Sequence, residues 1–365
     1  MSCGKLTISR NMDYCSKCGR LYGQNDDTLG LIGVHKITRD FLEKVAYAAQ
    51  MVPGFKNAQE VLYKLAGISI SASSVRALSE EVGQGIFEIQ KEKAGTAYKS
   101  PETAAPAFLE KDKLDMALYV LADGSAVNTR VQDEDGSTWR EMKLGLTFLD
   151  RDIIKRKDDS AIITKKEYVT YFGSAGEFKK VLYDSAARAG YGRVKKTVVI
   201  GDGAHWIWNI CEELFPDAEC ILDYYHMTEN VYSYAKELFL NNEKKYTKWA
   251  EALIYYIKTG QTKKALKKIT CSPLPDKSRN VVNLEGYIRN NIERIKYLEY
   301  KNKGYYIGSG MIESGNKIVV QKRMKQAGMR WSVDGGQYMA VLRAKHESKL
   351  WSDVADYIYC RCQAA

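Results

Sequence analysis

Apolar positions recur at helical spacing from Ile37 to about Lys93, and this pattern predicts three helices. Phe41, Val45, Ala48 and Ala49 make one stripe. A second helix over Ala58–Ala66 follows Asn57 and is stopped by Gly67. Ser71–Ser74 introduce a third over Val75–Val82, ended by Gly83. Helix, short glycine turn, helix is the outline of a DNA-binding helix-turn-helix, and equally of an ordinary helical hairpin. Residues 94–114 lack a period and carry two prolines, so they read as a linker.

The middle of the chain changes period. Ala117–Ala122 reads as a strand, Asp133–Gly136 as a turn, Trp139–Leu149 as the antiparallel partner and Glu167–Phe172 as a third strand. Phe178, Val181, Leu182 and Ala186 give a helix over Ser174–Ala189. Lys196–Asp202 is an apolar run of the kind buried on both faces. Then come a helix over Ala204–Phe215, a strand over Ala218–Leu222 and a helix over Tyr225–Leu240. The chain continues helical and charged to about Leu298, broken at Cys271–Pro275, and a last helix begins near Ser309. The fold class expected is α/β, a mixed sheet with an all-helical excursion, preceded by a small helical domain.

Composition narrows the partners. The net charge of +10 points to a polyanion. Between residues 301 and 349 ten Lys/Arg face three acids, which concentrates the excess. No apolar run approaches 18 residues and no basic-then-apolar leader follows Met1, so neither a membrane span nor a secretory signal is expected. The expected location is therefore cytoplasmic, with the nucleoid. The eight cysteines are expected as reduced thiols or metal ligands, with Cys211 and Cys220 as core cysteines. Cys15-Ser-Lys-Cys18-Gly is a zinc-ribbon knuckle, but a ribbon needs a second pair of ligands and upstream only Cys3 remains.

Three acids stand in contexts that suit chemistry. Asp123 and Asp202 each end an apolar run at an Asp-Gly step, and Glu313 opens a helix. Each also has a plain structural explanation, as turn residue or helix-start acid. Together they are hard oxygen ligands at strand ends, where open α/β sheets bind ligands. Asn316, Lys317 and Gln321 fall on Glu313's helical face. Asp223-Tyr-Tyr-His226 ends the next strand, and His226 reads as metal ligand, proton carrier, phosphate contact or structural residue. His205 and Trp206 are expected to pack and cap.

Six blocks in order then carry a resemblance: Asp123-Gly-Ser; residues 139–145; 201–208; 215–226; Gly308-Ser-Gly-Met-Ile-Glu-Ser; and Gly328-Met-Arg-Trp-Ser. Over roughly residues 117–351 the chain resembles the DDE transposases of bacterial insertion sequences, in the Kra-type branch related to the Mutator-like superfamily. The resemblance implies a ribonuclease-H-like core in which Asp123, Asp202 and Glu313 hold two Mg²⁺ or Mn²⁺ ions. Asp223 and His226 match the Cys/Asp-x-x-His signature of Mutator-like enzymes. Implied partners are double-stranded DNA, as element ends and target, and further copies of the chain assembled on it. Lys317, Lys322, Arg323 and Lys325 would contact the DNA backbone, and Arg330 and Trp331 would position a base, with packing an equal reading for the tryptophan. The corresponding divisions are a partial zinc-ribbon-like segment (1–30), a helical DNA-binding domain (31–93), the linker (94–114), the first part of the core (115–240), a helical insertion (241–304), and the last core helix with a basic C-terminal region (305–365). A non-catalytic DNA-binding protein and a nuclease without strand transfer use the same features. Relatives of this kind begin with a fuller zinc-ribbon region, so the short N-terminus bears on recognition of the ends and not on the acids.

Overall fold

The structure is a computed structural model that describes residues 11–19, 21–23, 31–32, 37–105, 110–155, 161–274, 282–308 and 310–360. Cys3, Pro275, Ser309 and Cys362, which figure in the sequence reading, lie outside the described residues. Strands β1 (Met12–Tyr14) and β2 (Leu21–Gly23) pair antiparallel around the Cys15–Cys18 turn, closed by the Gly19 amide donating to the Cys15 carbonyl at 2.9 Å. Strands β3 (Leu31–Ile32) and β4 (Ile37–Thr38) form a second short pair.

Helix α1 (Arg39–Met51) is capped by Thr38, α2 (Phe55–Ala66) is ended by Gly67 in the left-handed conformation, and α3 (Ala72–Lys99) is capped by Ser71. Helix α3 runs straight through Gly83, where a stop was expected. A Cβ at Gly83 would lie 2.5 Å from the Tyr338 carbonyl oxygen, so the glycine permits close approach of another backbone and ends nothing. The expected linker is largely helical too: α3 continues to Lys99, and α4 (Pro101–Ala104) starts on the proline, which suits a first helical turn.

Five strands make the central sheet: β5 (Leu114–Asn128), β6 (Trp139–Leu149), β9 (Glu167–Tyr171), β10 (Val194–Gly201) and β11 (Glu219–Leu222), with a separate hairpin of β7 (Ile153–Lys155) and β8 (Ala161–Ile163) between β6 and β9. Their order is β11-β10-β5-β6-β9; β10 is parallel to β5 and β11, whereas β6 is antiparallel to β5 and β9. The molecule is thus a mixed α/β fold with N-terminal helices. Thr147 of β6 meets Ser185 of α5 (Ala175–Ala189) at 2.7 Å, which marks the face α5 covers. Helices α6 (His205–Leu214) and α7 (Tyr224–Leu238) follow β10 and β11. Cys211 of α6 and Cys220 of β11 are joined in a disulfide, which corrects the expectation of unpaired core cysteines; the turn through Pro216 folds the strand back beside the helix that precedes it.

The excursion consists of α8 (Glu243–Lys258), α9 (Thr262–Thr270), α10 (Leu284–Asn290) and α11 (Tyr297–Asn302). Helix α12 (Gly310–Gly315) runs through a π-helical segment (Asn316–Gln321) into α13 (Lys322–Met324). Two more helices, α14 (Val333–Glu347) and α15 (Trp351–Cys360), occupy what had read only as a basic region. Helix α14 is buried around most of its circumference, so it shows no one-sided apolar stripe. Among the described residues no helix is long and apolar enough to cross a membrane.

The outer edge of β9 is not left open. Gln337 of α14 accepts from the Phe172 amide at 2.6 Å, Gln337 and Gln90 of α3 both donate to the Thr170 carbonyl, and Ser348 accepts from the Tyr168 amide at 2.8 Å. These side chains replace a sixth strand. Gln337→Ala strands a buried amide, which costs about 1–3 kcal/mol; a lowered midpoint in urea unfolding is the expected result, and an unchanged midpoint would show the bond to be dispensable.

Candidate metal centre

Strand register builds the site. Ile200 pairs with Leu121 on one side and Ile221 on the other, and Gly201 pairs with Leu222. Continuing that register places Asp123, Asp202 and Asp223 at equivalent positions on three adjacent strands, two of them just past strand ends. The Asp223 amide still donates to the Gly201 carbonyl at 2.7 Å, so the ladder holds to that point. Asp123 departs from expectation in one respect. It is inside β5, not at its end, because the antiparallel ladder with β6 carries the strand on to Asn128 after the parallel ladder with β10 has stopped.

Directly paired residues share a face. Asp123 pairs with Leu144, one residue out of phase with Thr147, so it points away from α5. On that side Asn316 donates to its Oδ2, while the Gly124 amide donates to Oδ1 at 2.7 Å. Burial pushes the Asp123 carboxyl above its ordinary value, against the Gly124 bond, and the charge of Asp202 adds to the rise. Asp202 Oδ1 accepts from the Ala204 amide at 2.9 Å, and its main-chain carbonyl accepts from the Tyr287 hydroxyl at 3.0 Å.

Asp223 is fully buried and caps α7, accepting from the amides of Tyr225 and His226. Its Oδ2 also lies 2.5 Å from His226 Nδ1. That bond outweighs burial and, with the nearby charges of Asp202 and Asp123, raises the imidazole to about 9. Glu313 closes the group: ligand atoms of Asp223, His226 and Glu313 all lie within 4.8 Å of one another. Among the described residues this is the one set of three or more side chains with metal-ligand spacing. Helix α12 and the π-helical segment that continues it therefore each touch the site, through Glu313 beside Asp223 and His226 and through Asn316 at Asp123. The π-helical widening begins at Asn316, and such widenings concentrate at functional sites.

A family model spans residues 2–355, from before the N-terminal hairpins into α15. The chain belongs to the uncharacterised protein family UPF0236. No curated protein matches the chain.

The other sequence candidates of this UPF0236 protein divide by burial. Lys317, Lys322, Lys325 and Arg330 are exposed, and among the described residues no acid pairs with them. Arg323 does not join their surface. It is 1% exposed, donates through Nε to the Ala49 carbonyl at 2.8 Å, and lies over the rings of Phe55 and Trp331. Trp331 is buried, donates its indole N–H to the Met324 carbonyl, and has its ring engaged by Arg323, so it offers no open face to a base. The basic stretch is thus not one solvated stripe; Arg343 is buried as well, paired with Glu347 at 2.7 Å. The polar stripe from Glu313 also splits, with Asn316 buried and Lys317 exposed. His205 is exposed at the first turn of α6, whereas Trp206 packs edge-on against Phe178. Cys15 is half-buried and Cys18 exposed on the N-terminal hairpin.

Some neighbours had no signal in the sequence. Tyr287 reaches Asp202 from the helical excursion, 85 residues away in the chain. A cavity of about 640 Å³ adjoins the site, lined by Tyr225, Tyr305, Tyr306, Lys166 and Lys301 and walled by Met311 and Ser314 of α12. Gly308 is required there by close approach: a Cβ would sit 2.6 Å from the Tyr225 ring.

Histidine titration of the metal-free protein provides a check. The folded value near 9 lies above the unfolded value of about 6.5. The His226–Asp223 bond therefore stabilises fully below about pH 6.5, and its contribution is lost as pH rises through 9. NMR should show one imidazole titrating near 9, returning toward about 6.5 in Asp223→Asn. An ordinary titration in the unmodified protein would refute the geometry.

Proposed function

We propose that this protein is a DNA transposase with a ribonuclease-H-like core, which cuts DNA strands at element ends and transfers the freed 3′-hydroxyls to target DNA. The observation that carries the reading is the convergence of Asp123, Asp202 and Asp223 in one row with Glu313 and His226 brought against that row by α12 and α7. A mixed sheet with its acids at the parallel end supports the ribonuclease-H-like assignment.

Hard carboxylate oxygens suit Mg²⁺ or Mn²⁺. Asp123, Asp202 and Glu313 would hold the ions, and Asp223 and His226, which stand at ligand spacing from Glu313, would share in holding them. When bound, such ions neutralise charge on the leaving oxygen and activate a water or hydroxyl. The protein's own groups prepare the place. Asn316 fixes the orientation of Asp123, and Tyr287 and the Ala204 amide fix Asp202. Asp223 holds the imidazole of His226 in place from a fully buried position. The repulsion between Asp123 and Asp202 is relieved by cation binding.

Strand binding has two supports. Lys317, Lys322, Lys325 and Arg330 give an exposed cationic track along and beyond the helix that carries Glu313. Tyr225, over half exposed, with Tyr305 and Tyr306 offers rings for stacking in a cavity edged by Lys166 and Lys301.

The test uses labelled DNA carrying the sequences that flank the gene, with Mg²⁺ or Mn²⁺. Metal-dependent nicking and joining is expected. Asp202→Asn and Glu313→Gln should lose more than the roughly 10–100-fold that loss of an outer-shell partner costs. Undiminished cleavage in either variant would sink the assignment. Cleavage without joining would make the protein a nuclease, and binding without cleavage a DNA-binding protein.

A further inference from the structure

A second cavity, of about 350 Å³, lies where α2 and α3 meet the end of β5 and the loop before α14. Its walls include Arg76, Arg130, Arg323 and Arg330 against one acid, Glu80. Four guanidinium groups around one carboxylate leave a strong local excess of positive charge.

Arg323 is the informative member. Its Nε is satisfied by the Ala49 carbonyl, but Nη1 and Nη2 are buried and have no hydrogen-bond partner among the described residues. The guanidinium carbon lies 4.8 Å from the centre of the Phe55 ring and 5.0 Å from that of Trp331, so the two aromatics fix where the fork sits. Burial and then the charge of Arg343 lower its proton affinity to about 10, which leaves it a cation at neutral pH. A chain filling space here would do better with an apolar residue, because a buried charge without acceptors is costly. The surroundings are built rather than loose. The Arg130 amide donates to the Trp331 carbonyl at 2.8 Å, and the Trp331 amide to the Asn128 carbonyl at 3.0 Å. Arg76 stands 3.9 Å from Glu80, and burial raises the Glu80 carboxyl above its ordinary value against the opposing charges of Arg76 and Arg130.

We propose that this cavity is a binding site for a phosphate group, with Arg323 at its wall and Arg130, Arg330 and Arg76 completing it. Several planar forks lining one cavity suit an oxygen-rich tetrahedral anion better than a single carboxylate. The proposal does not depend on the acids cutting DNA: the cavity stands at the far end of the helical run from α12 to α13 that carries Glu313 near its start. Two sources share the chemistry, a free phosphate and the terminal phosphate of a nucleic-acid strand.

Calorimetry on the full chain with inorganic phosphate, and with one oligonucleotide carrying or lacking a 5′-phosphate, tests it. Saturable binding of inorganic phosphate, or of the phosphorylated strand in preference to the bare one, is expected. Arg130→Gln and Arg330→Gln change exposed residues and should each weaken it about tenfold or more, while Lys244→Gln on α8 removes equal charge without effect. Arg323→Met should abolish it; if that variant fails to fold, the two glutamine variants decide. Stronger binding of the phosphorylated strand than of free phosphate names the strand as ligand, and the reverse names the free anion. Equal binding by the arginine variants and by Lys244→Gln, or no binding of either probe, would overturn the proposal.

Discussion

Parallel pairing of β5, β10 and β11 in a single register is the constraint from which the site follows. Side chains alternate across a strand, so a slip of one residue between β10 and either neighbour would send one aspartate to the opposite face of the sheet. Apolar runs buried on both faces hold that register: Leu118 to Leu121 in β5, Val198 to Ile200 in β10, and Ile221 and Leu222 in β11. The position of the carboxylates is therefore set by the hydrophobic core a few residues earlier. The loops that follow need only start helices, and Asp223 does this with the same side chain that orients His226.

Much of this frame was legible from period and punctuation. The alternation of Trp139–Leu149 gave β6 to the residue, although the strand is buried on both faces from Met142 on, and the apolar run before Asp202 gave β10 because burial on both faces demands such a run. Reading failed where a residue served a partner distant in the chain. Gly83 looked like a helix stop and is a point of backbone contact, and Asp123 looked like a strand end because Asp-Gly reads as a turn, whereas the ladder with β6 runs through it to Asn128. Tyr287 beside Asp202 could not be foreseen, since nothing local marks a tyrosine whose hydroxyl will meet a carbonyl 85 residues away.

Charge was the least readable property. Counting Lys and Arg between 301 and 349 treats every cation as solvated, yet Arg323 and Arg343 are interior residues that bind carbonyls of α1 or the π-helical segment. They act as cross-links between the N-terminal helices and the C-terminal third, and only the remaining exposed cations shape the outer field. Arginine permits both uses, because its stem packs and its fork bonds.

The covering of β9 has a further consequence. Thr170 accepts from α3 and from α14 through one carbonyl, so segments near the two ends of the sequence meet on a single backbone atom of the sheet. Excising the helices before β5 would take Gln90 from that atom and leave Gln337 and Ser348 to cover the edge alone. It would also bare the face of α14 that packs on α3, where Gly83 lets the two helices meet, and a freshly exposed interior face favours association. The N-terminal helices thus serve as cover for α14 and for part of the sheet edge, and any minimal version of this fold has to keep them.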